Sequence, residues 1–314
     1  MKNILIWGNA SYYEKYVNLI MFEQHKGNIN ILAYISKDKR HQREQDGKPV
    51  ILPEDIKNYD YDYIVVANSF FKEILKISIG LGISEDVIIP VKVFSIPMFD
   101  FNKYIEIKER KISIIAESCY GGFIYHCLGL KFNSPFINIG IGSSDYIKLL
   151  SDLDHYLSMP LEMKNDNILT AYNGNDWSSV SDSAGEPIGK LDDVNLHLIH
   201  YESFEHSKEL WDKRLARFNK NDIFVFMVIE NDSVAEAFDN LPFKNKLGFY
   251  FKDTPYKSII NINAWNDSKI RFNNYYLFRT YIHKIVTSEN RENQYFNFLD
   301  LLAGKVTIRK TYDF

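Results

Sequence analysis

A chain of 314 residues with 46% apolar side chains is long for one domain, natural for two, and able to bury sizeable cores. Its formal charge of −4 offers no basic stripe, which excludes nucleic acid as the expected partner. No window reaches roughly eighteen apolar residues, so no membrane span is expected, and the apolar run after Met1 is too short for a secretory signal.

The chain carries two cysteines, Cys119 and Cys127. They fall on one predicted helix, ~12 Å apart along its axis, beyond disulfide reach. A chain without a disulfide framework suits a reducing compartment, and the cytoplasm is the expected one. Tyrosine (21) and phenylalanine (22) are abundant. They are read as core, with some free to face sugar rings.

The first hundred residues alternate strand and helix signals. Asn3–Trp7 is a short apolar run ending at Gly8. Tyr12–Phe22 reads as a helix with Tyr13, Tyr16, Val17 and Ile20 on one face. Ile29–Ile35 is a second strand, and Gly47-Lys48-Pro49 turns the chain into the short run Val50–Leu52. Pro53-Glu54-Asp55 opens a helix with proline and acids in its first turn. Tyr63–Ala67 is a third strand, Phe70–Leu81 a helix stopped by Gly82, and Val87–Ile89 a strand ended by Pro90. This order predicts a parallel sheet of the Rossmann type. Pro97 and the charged stretch Lys108–Lys111 mark a boundary, giving domains 1–107 and 108–314.

The second domain alternates less regularly and is expected to hold a mixed α/β sheet. Ile112–Ala116 is a strand and Gly122–Leu130 a helix. Asp145–Leu157 is a helix opened by the cap cluster Ser143-Ser144-Asp145. Asn165–Gly185 is polar and reads as a long loop, of the kind that is often functional. Val194–Ile199 is a strand. Ser203–Arg217 is a helix capped by Ser203, with His206 where a glutamate would complete a capping box. Ile223–Ile229, Leu247–Phe251 and Ser258–Ile262 are strands, and Asn293–Leu302 is a last helix ended by Gly304. There is no internal repeat and no hexapeptide turn of a β-helix.

Two strand-to-helix turns are candidate sites. At the first, Gly8-Asn9-Ala10-Ser11 supplies one of the three glycines of a dinucleotide cradle, with Tyr13 at the third position. A tight NAD site is therefore not expected. Gly8 and Ser11 can still meet one phosphate, and Ser36 and Asp38 follow the second strand where a ribose-binding residue would sit. At the second, Ile112–Ala116 runs into Glu117-Ser118-Cys119-Tyr120-Gly121-Gly122. A thiol at a helix start is stabilised as thiolate, and the N–H groups of Tyr120, Gly121 and Gly122 can cradle an anion or oxyanion. The charge of Glu117 opposes the thiolate. His126 lies ~10 Å further up the helix and cannot be its base.

A base must come from elsewhere, and Asp192–Tyr201 is the best source. His197 and His200 have opposite strand parity, which argues against a shared metal. His200 is expected at a sheet's carboxyl edge, with Asp193 orienting it as an acid/base pair. His155 reads as structural. No metal-spaced cluster and no Walker motif is present, and the sequence names no cofactor.

The stretches Ile4-Leu5-Ile6-Trp7-Gly8, Ile35-Ser36-Lys37-Asp38, Gly47-Lys48-Pro49-Val50, Pro53-Glu54-Asp55, Asp62-Tyr63-Ile64-Val65-Val66-Ala67 and Leu81-Gly82-Ile83 resemble the small amino-terminal domain of bacterial sugar O-acyltransferases. That resemblance implies a domain able to hold part of a nucleotide-sugar. From about Lys111 to Lys305 the chain resembles the bacterial domain-of-unknown-function family nineteen-nineteen, often labelled exopolysaccharide-biosynthesis proteins. The matching residues are Ser118–His126, Leu130–Asn138, Leu191-Asp192-Asp193 with His197 and His200-Tyr201, and Phe204 followed by Trp211 and Lys213-Arg214. The resemblance implies a setting in surface polysaccharide assembly and no mechanism. The expectation is a transferase, acyl or glycosyl/phosphoglycosyl, acting on an activated sugar or glycan intermediate. Cys119 would be nucleophile or cradle residue, Ser118 and Tyr120–Gly122 ligand-binding, and His200 with Asp193 the acid/base pair. The alternative is a non-catalytic nucleotide-sugar-binding or scaffold protein.

Overall fold

The computed structural model describes residues 1–8, 10–37, 44–96, 99–164, 168–172, 177–181, 187–250, 252–261 and 298–303. The chain divides into two compact units: Met1–Glu106 with Cys127–Gly129, and Ile107–His126 with Leu130–Phe314. Both are α/β. No helix among the described residues is long and apolar enough to cross a membrane.

The first unit is built on β1 (Lys2–Trp7), whose Ile4, Leu5 and Ile6 are fully buried on both parities. A strand buried on both faces belongs inside a parallel sheet. The expected helix over Tyr12–Phe22 is two pieces, α1 (Ser11–Glu14) and α2 (Val17–His25), broken at Tyr16, which caps α2. Then come β2 (Ile29–Ile35), β3 (Glu44–Gln45), β4 (Lys48–Ile51) and a 3-10 turn at Pro53–Asn58. They are followed by β5 (Tyr63–Val66), α3 (Phe71–Gly80) and β6 (Ile88–Pro90). The sheet order is β3-β4-β2-β1-β5-β6, parallel except for the β3/β4 edge pair. Order therefore reverses at β1.

Pro97 lies outside the described residues, and the charged stretch continues a helix. Lys108 and Arg110 form the last turn of α4 (Phe101–Arg110), where cations complement the helix dipole. The α4 start is held by Glu23, 2% exposed, whose carboxylate accepts the Phe101 N–H at 2.9 Å and the Asn28 amide at 2.7 Å.

In the second unit come β7 (Ser113–Ala116), α5 (Tyr120–Cys127), α6 (Ser143–Ser151) and α7 (Leu153–Ser158). The latter pair replaces the single helix expected over Asp145–Leu157. The break is at Asp152, whose side chain accepts the His155 N–H and caps α7. Ser143 does not cap α6 but begins it, after an extended Gly142, while Asp145 instead accepts the Asn195 N–H at 3.0 Å. β8 (Glu162–Met163), β11 (Ile188–Leu191) and β12 (Val194–His197) form an antiparallel sheet ordered β12-β11-β8.

Within the expected loop Asn165–Gly185, β9 (Ile168–Tyr172) and β10 (Trp177–Ser181) pair as an antiparallel hairpin. Trp177–Ser181, with three serines in five residues, carries too little apolar alternation to read as a strand, and Ile168–Tyr172 is embedded in the same polar stretch. α8 (Phe204–Leu215) is capped as expected: the Ser203 hydroxyl accepts the His206 N–H at 3.1 Å. There follow β13 (Ile223–Val228), α9 (Asp232–Asn240), β14 (Asn245–Tyr250), β15 (Ile259–Asn261) and α10 (Phe298–Leu302). Gly304 lies outside the described residues.

The main sheet of this unit is four-stranded and parallel, ordered β15-β14-β13-β7. Beside the antiparallel β12-β11-β8 sheet it makes the unit a mixed α/β assembly.

Candidate functional site

At the amino-terminal turn Gly8 and the Ser36 backbone serve the fold. Gly8 has φ +121, and a Cβ there would lie 2.3 Å from the Ala67 carbonyl oxygen. The glycine thus lets the end of β1 meet the end of β5, where the strand order reverses. Ser11 is exposed on the four-residue α1, and the Ser36 N–H donates to Ile51 O at 2.9 Å. Asp38 lies outside the described residues. Tyr13, at the third-glycine position, is 1% exposed, and its hydroxyl lies 2.8 Å from that of Tyr34. Both hydroxyls donate to Asp46 Oδ2, each at 2.8 Å. Burial above all, with the hydrogen bond to Asp46 and its charge adding less, pushes both phenols far up, so they remain donors. The buried Tyr13 side chain thus stands where a dinucleotide cradle has its third glycine.

The Cys119 turn is placed differently. Pairing aligns Ile114 with Phe224, Ile115 with Val225, and Ala116 with Phe226. Ile114, Ala116, Phe224 and Phe226 therefore share one face of the sheet, and Ile115, Val225 and Met227 the other. α5 lies on the first face: Gly121 lies against Ala116, and the Tyr120 ring meets Phe226 edge-on at 5.3 Å. α9 lies on the second: Val234, Ala235 and Phe238 share a core with Ile115, Val225 and Met227. The helices leaving the adjacent strands β7 and β13 thus go to opposite faces. By topology that divergence puts a candidate crevice outside the carboxyl ends of two parallel strands, the position where α/β sheets bind ligands.

The crevice is bounded by the starts of α5 and α9. Cys119, partly exposed, caps α5, its carbonyl accepting the Phe123 N–H at 3.1 Å. Ser118 and Glu117 are buried, and Glu117 Oε1 accepts the Val228 N–H at 3.2 Å, tying β7 to β13. Across the crevice the Asn231 side chain caps α9 by accepting the Val234 N–H at 3.0 Å. Asp232 accepts from the Tyr250 hydroxyl and, at 2.9 Å, from Lys252 Nζ. Those two bonds, Tyr250 first, hold the Asp232 carboxyl below the usual range.

The Cα faces of the two glycines point inward. The Cβ direction of Gly121 points at Ala116 Cβ (3.6 Å) and Phe136 O (3.7 Å), and that of Gly122 at Ile137 Cγ2 (3.4 Å). They serve helix-on-strand packing. What they offer a ligand is their N–H groups, which in a helix's first turn have no intrahelical acceptor.

The pair His200/Asp193 is not assembled. Asp193 precedes β12 and His200 follows it, so a strand of about 10 Å separates them. The Asp193 carboxylate accepts from Lys148 Nζ and, at 3.0 Å, from the Tyr156 hydroxyl, which hold it below its usual range. β12 is antiparallel to its neighbour, so the carboxyl-edge rule does not apply to it. We expect Asp193→Asn to leave both the melting temperature and any ligand protection of Cys119 at wild-type values; a loss of protection would return Asp193 to the site.

The end of β12 nevertheless approaches the Cys119 turn. His197 pairs with Gly140, and the Ile141 N–H donates to Glu117 O at 2.8 Å. His200 is exposed and left-handed, with φ +66. Tyr201 is buried, and its hydroxyl donates to Ile137 O at 2.6 Å. His155 contacts Asp192 at 3.2 Å, consistent with a structural reading, and His126 is exposed in the last turn of α5.

The sequence reading missed Asn231 and Asp232 as site residues and gave Tyr201 and Arg214 no role. The signal for the first two was present: a capping asparagine one residue past the apolar run Ile223–Ile229 announces a helix start.

A family model described as "Domain of unknown function (DUF1919)" matches residues 90–298, and one described as "C2185-like, N-terminal" matches residues 1–89. A relative from Haemophilus influenzae, described as an uncharacterized protein, is 32% identical over 165 residues, covering 51% of this chain and 72% of its own length.

Proposed function

We propose that this chain, which belongs to the family described as "Domain of unknown function (DUF1919)", is a transferase that binds an activated sugar or glycan intermediate in the crevice between β7 and β13. The observation that carries this reading is the departure of α5 and α9 to opposite faces from adjacent parallel strands. The first-turn N–H groups of Gly121 and Gly122 receive a phosphate of the ligand, aided by the helix dipole. Glu117 and Asp232 accept its hydroxyl groups. The resemblance to proteins labelled for exopolysaccharide biosynthesis supports surface polysaccharide assembly as the setting. Cys119 serves as the rim of the cradle, and the reading needs no covalent step.

The two cysteines make a built-in assay. Both are partly exposed, but Cys119 caps the start of α5 and Cys127 ends it, so the dipole favours a thiolate at the first and opposes it at the second. We expect Cys119 to alkylate about threefold faster than Cys127. A nucleotide-sugar filling nine-tenths of the sites should slow Cys119 roughly tenfold and leave Cys127 unchanged. If no member of a nucleotide-sugar panel protects Cys119, the transferase reading fails and the scaffold reading takes its place.

A further inference from the structure

Arg214 lies on the buried face of α8 and is 8% exposed. One donor of its guanidinium, Nη1, bonds the Tyr201 hydroxyl at 2.6 Å, and its central carbon lies 5.4 Å from the Phe132 ring centroid. Among the described residues no aspartate or glutamate forms an ion pair with it. Arg110 shows the contrast: its Nε and Nη2 bond both oxygens of Asp222, at 2.6 and 2.7 Å. A buried cation without a counter-charge is costly, and a guanidinium fork is shaped to receive a carboxylate or phosphate.

The location of Arg214 points to the charge it lacks. Its partner Tyr201 donates to Ile137 O at 2.6 Å, and Ile137 Cγ2 is the atom that a Cβ added to Gly122 would meet, at 3.4 Å. Tyr201 also lies within electrostatic reach of Cys119: burial raises its phenol most, Arg214 lowers it, and Cys119 raises it further. Tyr201 and Ile137 thus link the arginine to the segment on which the α5 start packs, and the N–H groups of that start also favour an anion.

We propose that Arg214 and the first turn of α5 form a single anion site for a phosphate group, with Tyr201 holding the guanidinium in register. This deepens the crevice reading and rests on it for the remainder of the ligand.

The test uses the full chain, inorganic phosphate as the probe, and chloride at matched ionic strength as the reference. Phosphate well above its dissociation constant should raise the wild-type melting temperature by about 5 °C and slow Cys119 alkylation. Arg214→Met should melt no lower than wild type in chloride, because it removes an uncompensated buried charge, and should lose both phosphate effects. A destabilised Arg214→Met that keeps the full phosphate response overturns the proposal. If that variant does not fold, Arg214→Lys, which keeps the charge and loses the fork, decides: a reduced response supports the site, and an unchanged one overturns it. The two readings fail separately. A nucleotide-sugar that protects Cys119 equally in wild type and Arg214→Met removes the arginine and leaves the crevice. An Arg214-dependent melting shift without protection of Cys119 by phosphate places the anion away from α5 and overturns the shared site, while the crevice reading stands or falls on the nucleotide-sugar panel.

Discussion

Gly8→Ala should destabilise the first unit by about 4 kcal/mol or more, the largest effect expected of any single methyl in this chain. Two costs add. The backbone at φ +121 is one that an L side chain rarely adopts, and the new Cβ would lie 2.3 Å from Ala67 O. Neither cost relaxes locally, because Gly8 N bonds Ile35 O at 3.1 Å and Ala67 N bonds Trp7 O at 2.9 Å, fixing the turn to β2 and β5. A unit of this size has roughly 5–15 kcal/mol to lose, so most of its margin goes. Amide exchange at Ile4–Trp7 and Tyr63–Val66 should accelerate by orders of magnitude, with Ile223–Val228 of the second unit as the internal reference. Wild-type exchange in β1 would show that the β1–β5 junction is looser than its geometry, and would reopen Gly8 as a ligand residue.

The same glycine shows how much could be read from sequence. A strand, a glycine and a helix start were legible as a phosphate-turn pattern, and the parallel sheet around them followed from strands buried on both faces. Which neighbour needs the missing side chain was not legible, because Ala67 is fifty-nine residues away. Tyr13 carried the hint: a large aromatic at the third-glycine position fills its own cradle, and its partner Asp46 sits on a turn with no apolar pattern to mark it.

In the second unit the Cys-Gly-Gly turn was legible as a helix start, and Ser203 as a cap, because both are local signals. The divergence of α5 and α9 was not. Ile114, Ile115 and Ala116 are all apolar, so alternation could not tell which face takes which helix; only the register with Phe224–Phe226 does. The expected His200/Asp193 pair failed for a related reason. Proximity in sequence stood in for proximity in space, while a strand lies between the two residues. Arg214 had no role in the sequence, and only the packing of α8, with Trp211 and Ser207 on the same buried face, reveals it as an interior cation.

His197 should make the chain acid-sensitive by about 3 kcal/mol between pH 6.5 and pH 4. It is 7% exposed, and burial, with a smaller push from Lys164, lowers its pKa from 6.5 to about 4. Above pH 6.5 the imidazole is neutral in folded and unfolded chains alike. Between the two values the unfolded chain binds a proton that the folded one refuses, so stability falls as pH falls; below about 4 both bind it and the loss stops. Carboxylates also erode stability in acid, and a difference measurement cancels them. The gap in unfolding free energy between wild type and His197→Gln, which cannot titrate, should shift by about 3 kcal/mol from pH 7 to pH 4. A pH-independent gap would mean that His197 reaches water in the folded chain. The consequence extends to the site. His197 and Gly140 exchange backbone bonds at 2.8 Å in each direction, and the next residue, Ile141, bonds Glu117 O at 2.8 Å. A proton forced onto the buried ring strains the bridge that seats this segment against the Cys119 turn. Amide protection at Ile141 should therefore be lost at a higher pH than protection in the core of β13.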